Sequence, residues 1–133
     1  MKRIALALLL FVASCAHAPA QTYTGKWVNI VKTDDAIFDV DASSWRYDKS
    51  DKTHEPVSAI VVRAQYLSTH TTSVYQSFVP LKDCDRGYGF VNSTNLSGKF
   101  LFQNEFNLGG PTAADTIADV LCGLHRRKQS GSV

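Results

Sequence analysis

The stretch "PLKDCDRGYGF" places a cysteine, Cys84, among Lys82, Asp83, Asp85 and Arg86. A thiolate is a nucleophile and a metal ligand, and neighbouring basic groups favour this ionised form. The surroundings of Cys84 are therefore compatible with four roles: a nucleophile, a metal ligand, a buried core residue, or one half of a disulfide.

Catalysis or metal binding would require partners for this thiol. His70, the nearest histidine in the sequence, lies in "STHTT" with no motif around it, and His54 lies in a charged loop. A catalytic nucleophile needs a base within hydrogen-bond reach, and a structural zinc site needs four ligands. Because no such spacing occurs, we expect a protein that is not an enzyme and that has no metal or cofactor.

Four aspartates, Asp34, Asp35, Asp39 and Asp41, could imitate a calcium-binding loop. They lack the Asp-x-Asp-x-Asp-Gly run and the closing glutamate of that motif. Since aspartate is a preferred turn residue, we interpret all four as solvated turn residues.

The chain begins "MKRIALALLLFVASCAHAPAQ", in which two basic residues precede an apolar run and then small residues. This order predicts a secretory signal peptide at residues 1–20, and the run is shorter than the roughly 20 apolar residues that span a bilayer. "APA" before Gln21 fits signal cleavage, whereas "VASC" resembles a lipoprotein box that would leave an acylated Cys15 at the mature N-terminus. Both alternatives stay open, and acylation would hold the protein at a membrane.

Export bears directly on the role of Cys84. Cys15 is either removed or lipidated, which leaves Cys84 and Cys122 as the remaining cysteines. Exported proteins meet an oxidising compartment, where two such cysteines are expected to pair. We therefore predict a Cys84–Cys122 disulfide.

The length of the mature chain predicts one small domain at residues 21–124, which is followed by a polar basic tail at residues 125–133. Loss of Lys2 and Arg3 reduces the 14 basic residues to 12, against 12 acidic residues, so the mature chain has no formal net charge. Nucleic-acid binding, which needs a basic excess or stripe, is not expected.

Alternating patterns predict strands through most of this domain. "VSAIVVRAQYL" places Ile60 and Val62 on one face and Arg63 on the other, which is typical of a strand with one face in a core. "SVYQSFVPLKD" predicts a strand covered on both sides that ends at Cys84, with Pro80 at an edge or a bulge.

Four further segments have strand character. "GKWVNIVK" and "AIFDV" predict two short strands near the mature N-terminus. "RGYGFVNS" and "KFLFQNEF" predict a last strand pair joined by the turn "TNLSG". In this pair Phe100, Phe102 and Phe106 are expected on one face.

A helical spacing replaces the alternation in "PTAADTIADVLCGL". Thr112 and Asp115 form a capping-box pattern at its start, and Gly123 or the basic run "HRRK" would end it. Cys122 falls on the flank of the apolar stripe, from which it can reach a neighbouring strand. The disulfide would then staple this helix to the sheet.

Aromatic residues are mostly interpreted as core, with Trp45 and Tyr47 as the exceptions. Both lie beside the polar loop "DKSDKTHEP". If exposed there, they would form a contact patch for a partner.

Taken in order, several segments resemble the surface-adhesin protein E family of Gram-negative bacteria. They are "WVNIV", "IFDVDASS", "VVRAQY", "SVYQSFVPLKDC", "GYGF" and "TIADVLCG", and together they span roughly residues 25–124. The resemblance implies an α+β fold, with an antiparallel sheet of about six strands and a C-terminal helix tied to the sheet by the two cysteines. It also implies a cell-surface or periplasmic, lipoprotein-like location.

The best-known member of that family binds host matrix and plasma proteins through a basic stretch before its first cysteine. The equivalent stretch here, "TTSVYQSFVPL", has no lysine or arginine, so those binding residues are not carried over. We expect an exported, non-enzymatic envelope or surface protein that binds an envelope protein, a host matrix protein or a second copy of itself. The alternative is a periplasmic inhibitor or immunity-type protein that blocks a partner. Membrane contact is expected only through a lipid on Cys15.

Overall fold

Six strands form one antiparallel sheet in the computed structural model, which describes residues 23–131. The elements are β1 (Trp27–Lys32), β2 (Ala36–Lys49), β3 (Pro56–Tyr66), β4 (Thr71–Pro80), α1 (Leu81–Arg86), β5 (Tyr88–Thr94), β6 (Phe100–Asn107) and α2 (Ala113–Gln129). The predicted fold class, six antiparallel strands with a C-terminal helix packed on them, is confirmed. The signal peptide, the acylation of Cys15 and the cleavage before Gln21 concern residues outside those described.

The strands follow one another in the sheet in chain order, from β1 to β6. Short turns suffice for such antiparallel neighbours. His54 and His70 lie in two of these turns with φ of 57° and 52°, and Gly98 lies in a third with φ of 91°. Both histidines are therefore turn residues, as predicted.

The main core lies between one face of the sheet and α2. Cross-strand partners share a face, so Val40, Val62 and Tyr75 point together towards the helix. Ile117, Ala118 and Leu121 of α2 are buried against this layer. We call this side of the sheet the helix-covered face and the other side the open face.

α2 begins with the predicted capping box. The Thr112 side chain accepts from the backbone N–H of Asp115, and the Asp115 carboxylate accepts from the backbone N–H of Thr112. The helix continues through Gln129, so residues 125–129, which we had assigned to a polar tail, belong to it. His125 is buried at 5% exposure, whereas the basic residues that follow it are exposed.

The Cys84–Cys122 disulfide is confirmed, with the two Cα atoms 5.3 Å apart. Cys84 does not end a strand, however. It lies in the short helix α1, which begins directly after Pro80, the last residue of β4. Pro80 lacks a backbone N–H, and β5 pairs with β4 only from Gln76 to Phe78, so no ladder bond to β5 is lost there.

Two of the three register irregularities in the sheet change which side chains face the helix. One lies between Ser93 and Thr94, where Phe102 pairs with Ser93 but Phe100 pairs with Thr94. The extra residue, Leu101, moves Phe100 to the open face, so the prediction that it shares a face with Phe102 and Phe106 was wrong.

The other irregularity lies in β2 between Asp41 and Arg46. β3, which pairs with this part of β2, is buried on both faces from Val57 to Val62. The predicted half-buried strand was therefore wrong in its first half.

Candidate functional site

The open face carries a groove of about 860 Å³. Its two walls are the β2–β3 hairpin, from Arg46 to Glu55, and the β5–β6 hairpin, from Thr94 to Phe100. Binding pockets commonly have volumes of about 300–1,000 Å³. The groove is therefore large enough to hold a small ligand or a short segment of a larger one.

The two walls line one groove and approach each other at their tips. Bulges increase the local bend and twist of a strand, and one lies at the base of each hairpin. At the tips, a Cβ placed on Gly98 would lie 4.0 Å from a carboxylate oxygen of Asp51. Val57 and Ala59 are both buried although no helix covers this face, and Val57 lies at the floor of the groove between the two hairpins.

The floor of the groove consists of uncharged side chains from the middle of the sheet. Val57 of β3 lies beside Pro80 of β4, and Phe78 of β4 lies beside Asn92 of β5. Gln103 of β6 continues the row and donates a 2.9 Å hydrogen bond to the Asn92 side chain. Aromatic, aliphatic and amide groups thus alternate across four strands.

Charged residues are confined to the β2–β3 wall. Arg46 is paired with Asp48 at 3.2 Å, and Glu55 is paired with Lys82 of α1. The Lys82 hydrogen bond lowers the pKa of Glu55. Positive and negative groups balance on this wall, so it does not select strongly for a ligand of either charge.

A polar network lies at the β1 end of the open face. The Arg63 guanidinium donates two hydrogen bonds to one carboxylate oxygen of Asp39, at 2.7 and 3.0 Å, and stacks over the Trp27 ring at 4.5 Å. Asn29 donates to the other Asp39 oxygen at 3.0 Å. Each oxygen of Asp39 is occupied, so this network holds β1, β2 and β3 together.

Asp41 is similarly enclosed. The Tyr23 hydroxyl donates to it at 2.6 Å, and Ser43 donates through both its backbone N–H and its hydroxyl. Burial works to raise the pKa of the Asp41 carboxyl, but these hydrogen bonds outweigh burial and hold the pKa below its ordinary value. Asp34 and Asp35 lie exposed in a turn as predicted, whereas the same prediction for Asp39 and Asp41 was wrong.

Trp45 and Tyr47, the predicted contact patch, lie against α2. The Trp45 ring N–H donates to the Ser58 hydroxyl at 2.8 Å, and Ser58 donates in turn to the carbonyl of Leu121 at 2.9 Å. The Tyr47 hydroxyl lies 2.8 Å from Nδ1 of His125. Tyr47 remains 41% exposed, so part of its ring is accessible beside these contacts.

The role of His125 was missed at the level of sequence because it stands at the head of the basic run "HRRK". Its spacing was the available signal. His125 follows Leu121 by four residues and Leu124 by one, which places it at the edge of the apolar stripe.

The candidate catalytic groups do not come together. Within residues 23–131, no side-chain hydrogen bond joins His54 or His70 to a carboxylate or hydroxyl. The same residues contain no group of three or more histidine, cysteine, aspartate or glutamate side chains placed to hold a metal ion. Neither helix in this part of the chain has the length and hydropathy to cross a membrane.

The sequence analysis also did not predict a group of exposed apolar side chains on one hairpin. Eight large hydrophobic side chains are exposed within residues 23–131, and five of them lie on the β5–β6 hairpin. These five are Tyr88, Phe90, Leu96, Phe100 and Leu101. We call them the hairpin surface.

We compared the chain with known families, curated proteins and solved structures. No protein-family model, no curated protein and no solved structure matches the chain.

Proposed function

We propose that this protein is an exported, non-enzymatic envelope or surface protein of the adhesin E-like type, and that it binds a protein partner through the hairpin surface. The observation that carries the proposal is the concentration of exposed aromatic and aliphatic side chains on one hairpin. A concentration of exposed apolar side chains is a common mark of an interaction site on a soluble protein, whereas single scattered ones need no explanation.

The chemistry of the hairpin surface suits a protein interface. Aromatic residues are enriched at interfaces, where they carry much of the binding energy. Phe90 and Phe100 are 42% and 60% exposed. Tyr88 is 54% exposed, and the Arg86 guanidinium lies 5.0 Å above its ring. This stacking holds a cation and an aromatic ring in a fixed arrangement before a partner arrives.

The position of the hairpin supports the same role. Within residues 23–131, β6 is the last strand of the sheet, so no other described strand pairs with its outer edge. An edge strand leaves backbone donors and acceptors free, and a partner strand can pair with them. The hairpin surface therefore offers both side chains and backbone groups to a protein.

Export rests on two observations. Residues 1–20 have the order of a signal peptide, and Cys84 and Cys122 form a disulfide. Disulfides persist in oxidising compartments and are rare in the cytosol of mesophiles. We propose a location in the periplasm or at the outer surface.

Site-specific crosslinking tests the partner surface. A photoreactive residue is placed at Phe90, and the exported protein is irradiated with envelope extract, with host matrix proteins and alone. We expect crosslinks from position 90, which is 42% exposed, but not from Val28, an apolar residue that is 52% exposed on β1 at the far edge of the sheet. Equal yields from both positions would contradict the proposal. A crosslinked dimer from protein alone would identify a second copy as the partner.

Intact-mass measurement of the protein recovered from cells tests export. We expect a chain that begins at Gln21 or at an acylated Cys15. Recovery of an unprocessed protein that still carries Met1 would contradict export, but it would not bear on the hairpin surface.

A further inference from the structure

The open-face groove shares Leu96 and Phe100 with the hairpin surface, but its floor has different chemistry. The hairpin surface is apolar and exposed, whereas the floor combines apolar side chains with amides. A protein partner seated on the hairpin would leave this floor without a role. We therefore consider a separate ligand for the groove.

The floor excludes one common way of binding a peptide. β-Strand addition needs a free sheet edge, with backbone donors and acceptors available to the incoming strand. Most of the floor lies on β3, β4 and β5, which are paired on both sides at the groove: Ala59 and Phe78 are partners, as are Phe78 and Asn92. A ligand on this part of the floor finds no free strand edge, so it contacts side chains there.

Those side chains offer neutral donors and acceptors at short intervals. Each amide of Gln76, Asn92 and Gln103 carries two N–H donors and a carbonyl acceptor. Gln103 uses one donor on the Asn92 carbonyl oxygen, which leaves the amide nitrogen of Asn92 and the carbonyl of Gln103 available. Within the described residues the Gln76 side chain makes no hydrogen bond. Thr94, the cross-strand partner of Gln76, adds a hydroxyl beside it.

Apolar surfaces stand next to these polar groups. Phe78 lies between Asn92 on β5 and Ala59 on β3, and Phe100 rises from the β5–β6 wall at 60% exposure. A matching ligand would have an apolar side to pack on the rings and closely spaced hydroxyl groups for the amides. A pyranose ring has both, because its C–H groups form an apolar face and its hydroxyls act as paired donors and acceptors.

We propose that the open-face groove binds a neutral oligosaccharide. The amides of Gln76, Asn92 and Gln103 hydrogen-bond to its hydroxyl groups, and Phe78 and Phe100 pack against its sugar faces. The uncharged floor and the balanced wall disfavour a strongly charged glycan. The inference goes beyond the proposed function, since it assigns the groove rather than the hairpin surface.

Calorimetric titration of the exported, oxidised protein tests this assignment with three neutral probes: chitotetraose, cellotetraose and maltotetraose. We expect saturable binding of at least one of them. Gln76→Ala and Gln103→Ala should each weaken it about tenfold, as expected for a lost contact worth about 1.4 kcal/mol. Leu67→Ala is the matched control, because Leu67 is 38% exposed in the β3–β4 turn, outside both the groove and the hairpin surface, and it should bind as the unmodified protein does.

Amide chemical shifts measured by NMR during the same titration identify the site, and they should move for Gln76, Asn92 and Gln103. The inference is overturned if none of the three tetrasaccharides binds, or if binding is unchanged in both glutamine variants. It is also overturned if a neutral octapeptide of alanine, serine and valine binds the groove and the saccharides do not. Urea unfolding of each variant shows that a loss of binding is not a loss of fold. Crosslinking from Phe90 is independent of these results, so failure of the saccharide site leaves the proposed function standing.

Discussion

The helix-covered face and the open face of the sheet differ in what closes over them. α2 covers the first, and it is held there by a disulfide, by the Trp45–Ser58 hydrogen-bond chain and by the Tyr47–His125 contact. Two hairpins partly cover the second and leave a groove. We propose that the two faces have different roles, in which stability depends mainly on the helix-covered face and binding on the open face.

The largest effect on this comparison is expected from removing the disulfide. The bridge closes a loop of 38 residues, which the chain-entropy model values at about 4 kcal/mol of unfolding free energy. Cys84→Ser with Cys122→Ser should lower stability by about that amount in urea unfolding. Hydrogen exchange should accelerate in α2 before it does in β3 and β4. Simultaneous acceleration in all of these elements would contradict a staple that acts on the helix.

A smaller effect is expected at the start of α2. Asp115 is 4% exposed and accepts from the backbone N–H groups of Asn107 and Thr112, and the Asn107 bond contributes most to lowering its pKa. Asp115→Ala should cost about 2 kcal/mol at neutral pH, because a buried cap is lost.

The same carboxyl predicts a pH dependence. Its pKa is lower in the folded protein than the ordinary value of 3.8, so its stabilisation is present above that value and is lost as the pH falls towards the folded pKa. Asp115→Ala should therefore lose less stability than the unmodified protein between about pH 4 and pH 2. Asp85→Ala, which removes an exposed carboxylate, is the control and should keep the original acid profile.

The smallest effect is expected from the Tyr47 hydroxyl. Tyr47→Phe removes the hydrogen bond to His125 and should cost about 1 kcal/mol, the usual net value of such a bond. Tyr88→Phe removes a hydroxyl that has no hydrogen-bond partner among the described residues and should cost nothing measurable. Equal stabilities for the two variants would show that the C-terminal half of α2 does not depend on Tyr47.

The sequence was sufficient to predict the elements of the helix-covered face. Its strands alternate, its helix has a regular apolar stripe with a capping box, and its two cysteines have few alternatives in an exported chain. These signals are local, and the six-stranded sheet, the capping box and the disulfide were confirmed, whereas the short helix α1 and the continuation of α2 through Gln129 were missed.

The open face was harder to predict because its geometry depends on single extra residues. The bulge at Leu101 reverses the direction of Phe100, and no turn residue marks it in "KFLFQNEF". The only sequence signal for the Asp39–Arg63 ion pair was that each residue is a charged residue within an otherwise apolar strand. The groove forms where two hairpins distant in sequence approach each other, which periodicity does not encode.

Two phenylalanines on one strand test the different roles of the two faces most directly. Phe106 is 1% exposed on the helix-covered face, and Phe100 is 60% exposed on the open face. The measurement compares Phe106→Ala and Phe100→Ala in urea unfolding and in crosslinking from Phe90. We predict that Phe106→Ala costs about 3–5 kcal/mol, whereas Phe100→Ala costs less than about 0.5 kcal/mol and reduces the crosslink yield. Equal losses of stability, or an unchanged crosslink yield in Phe100→Ala, would contradict the account.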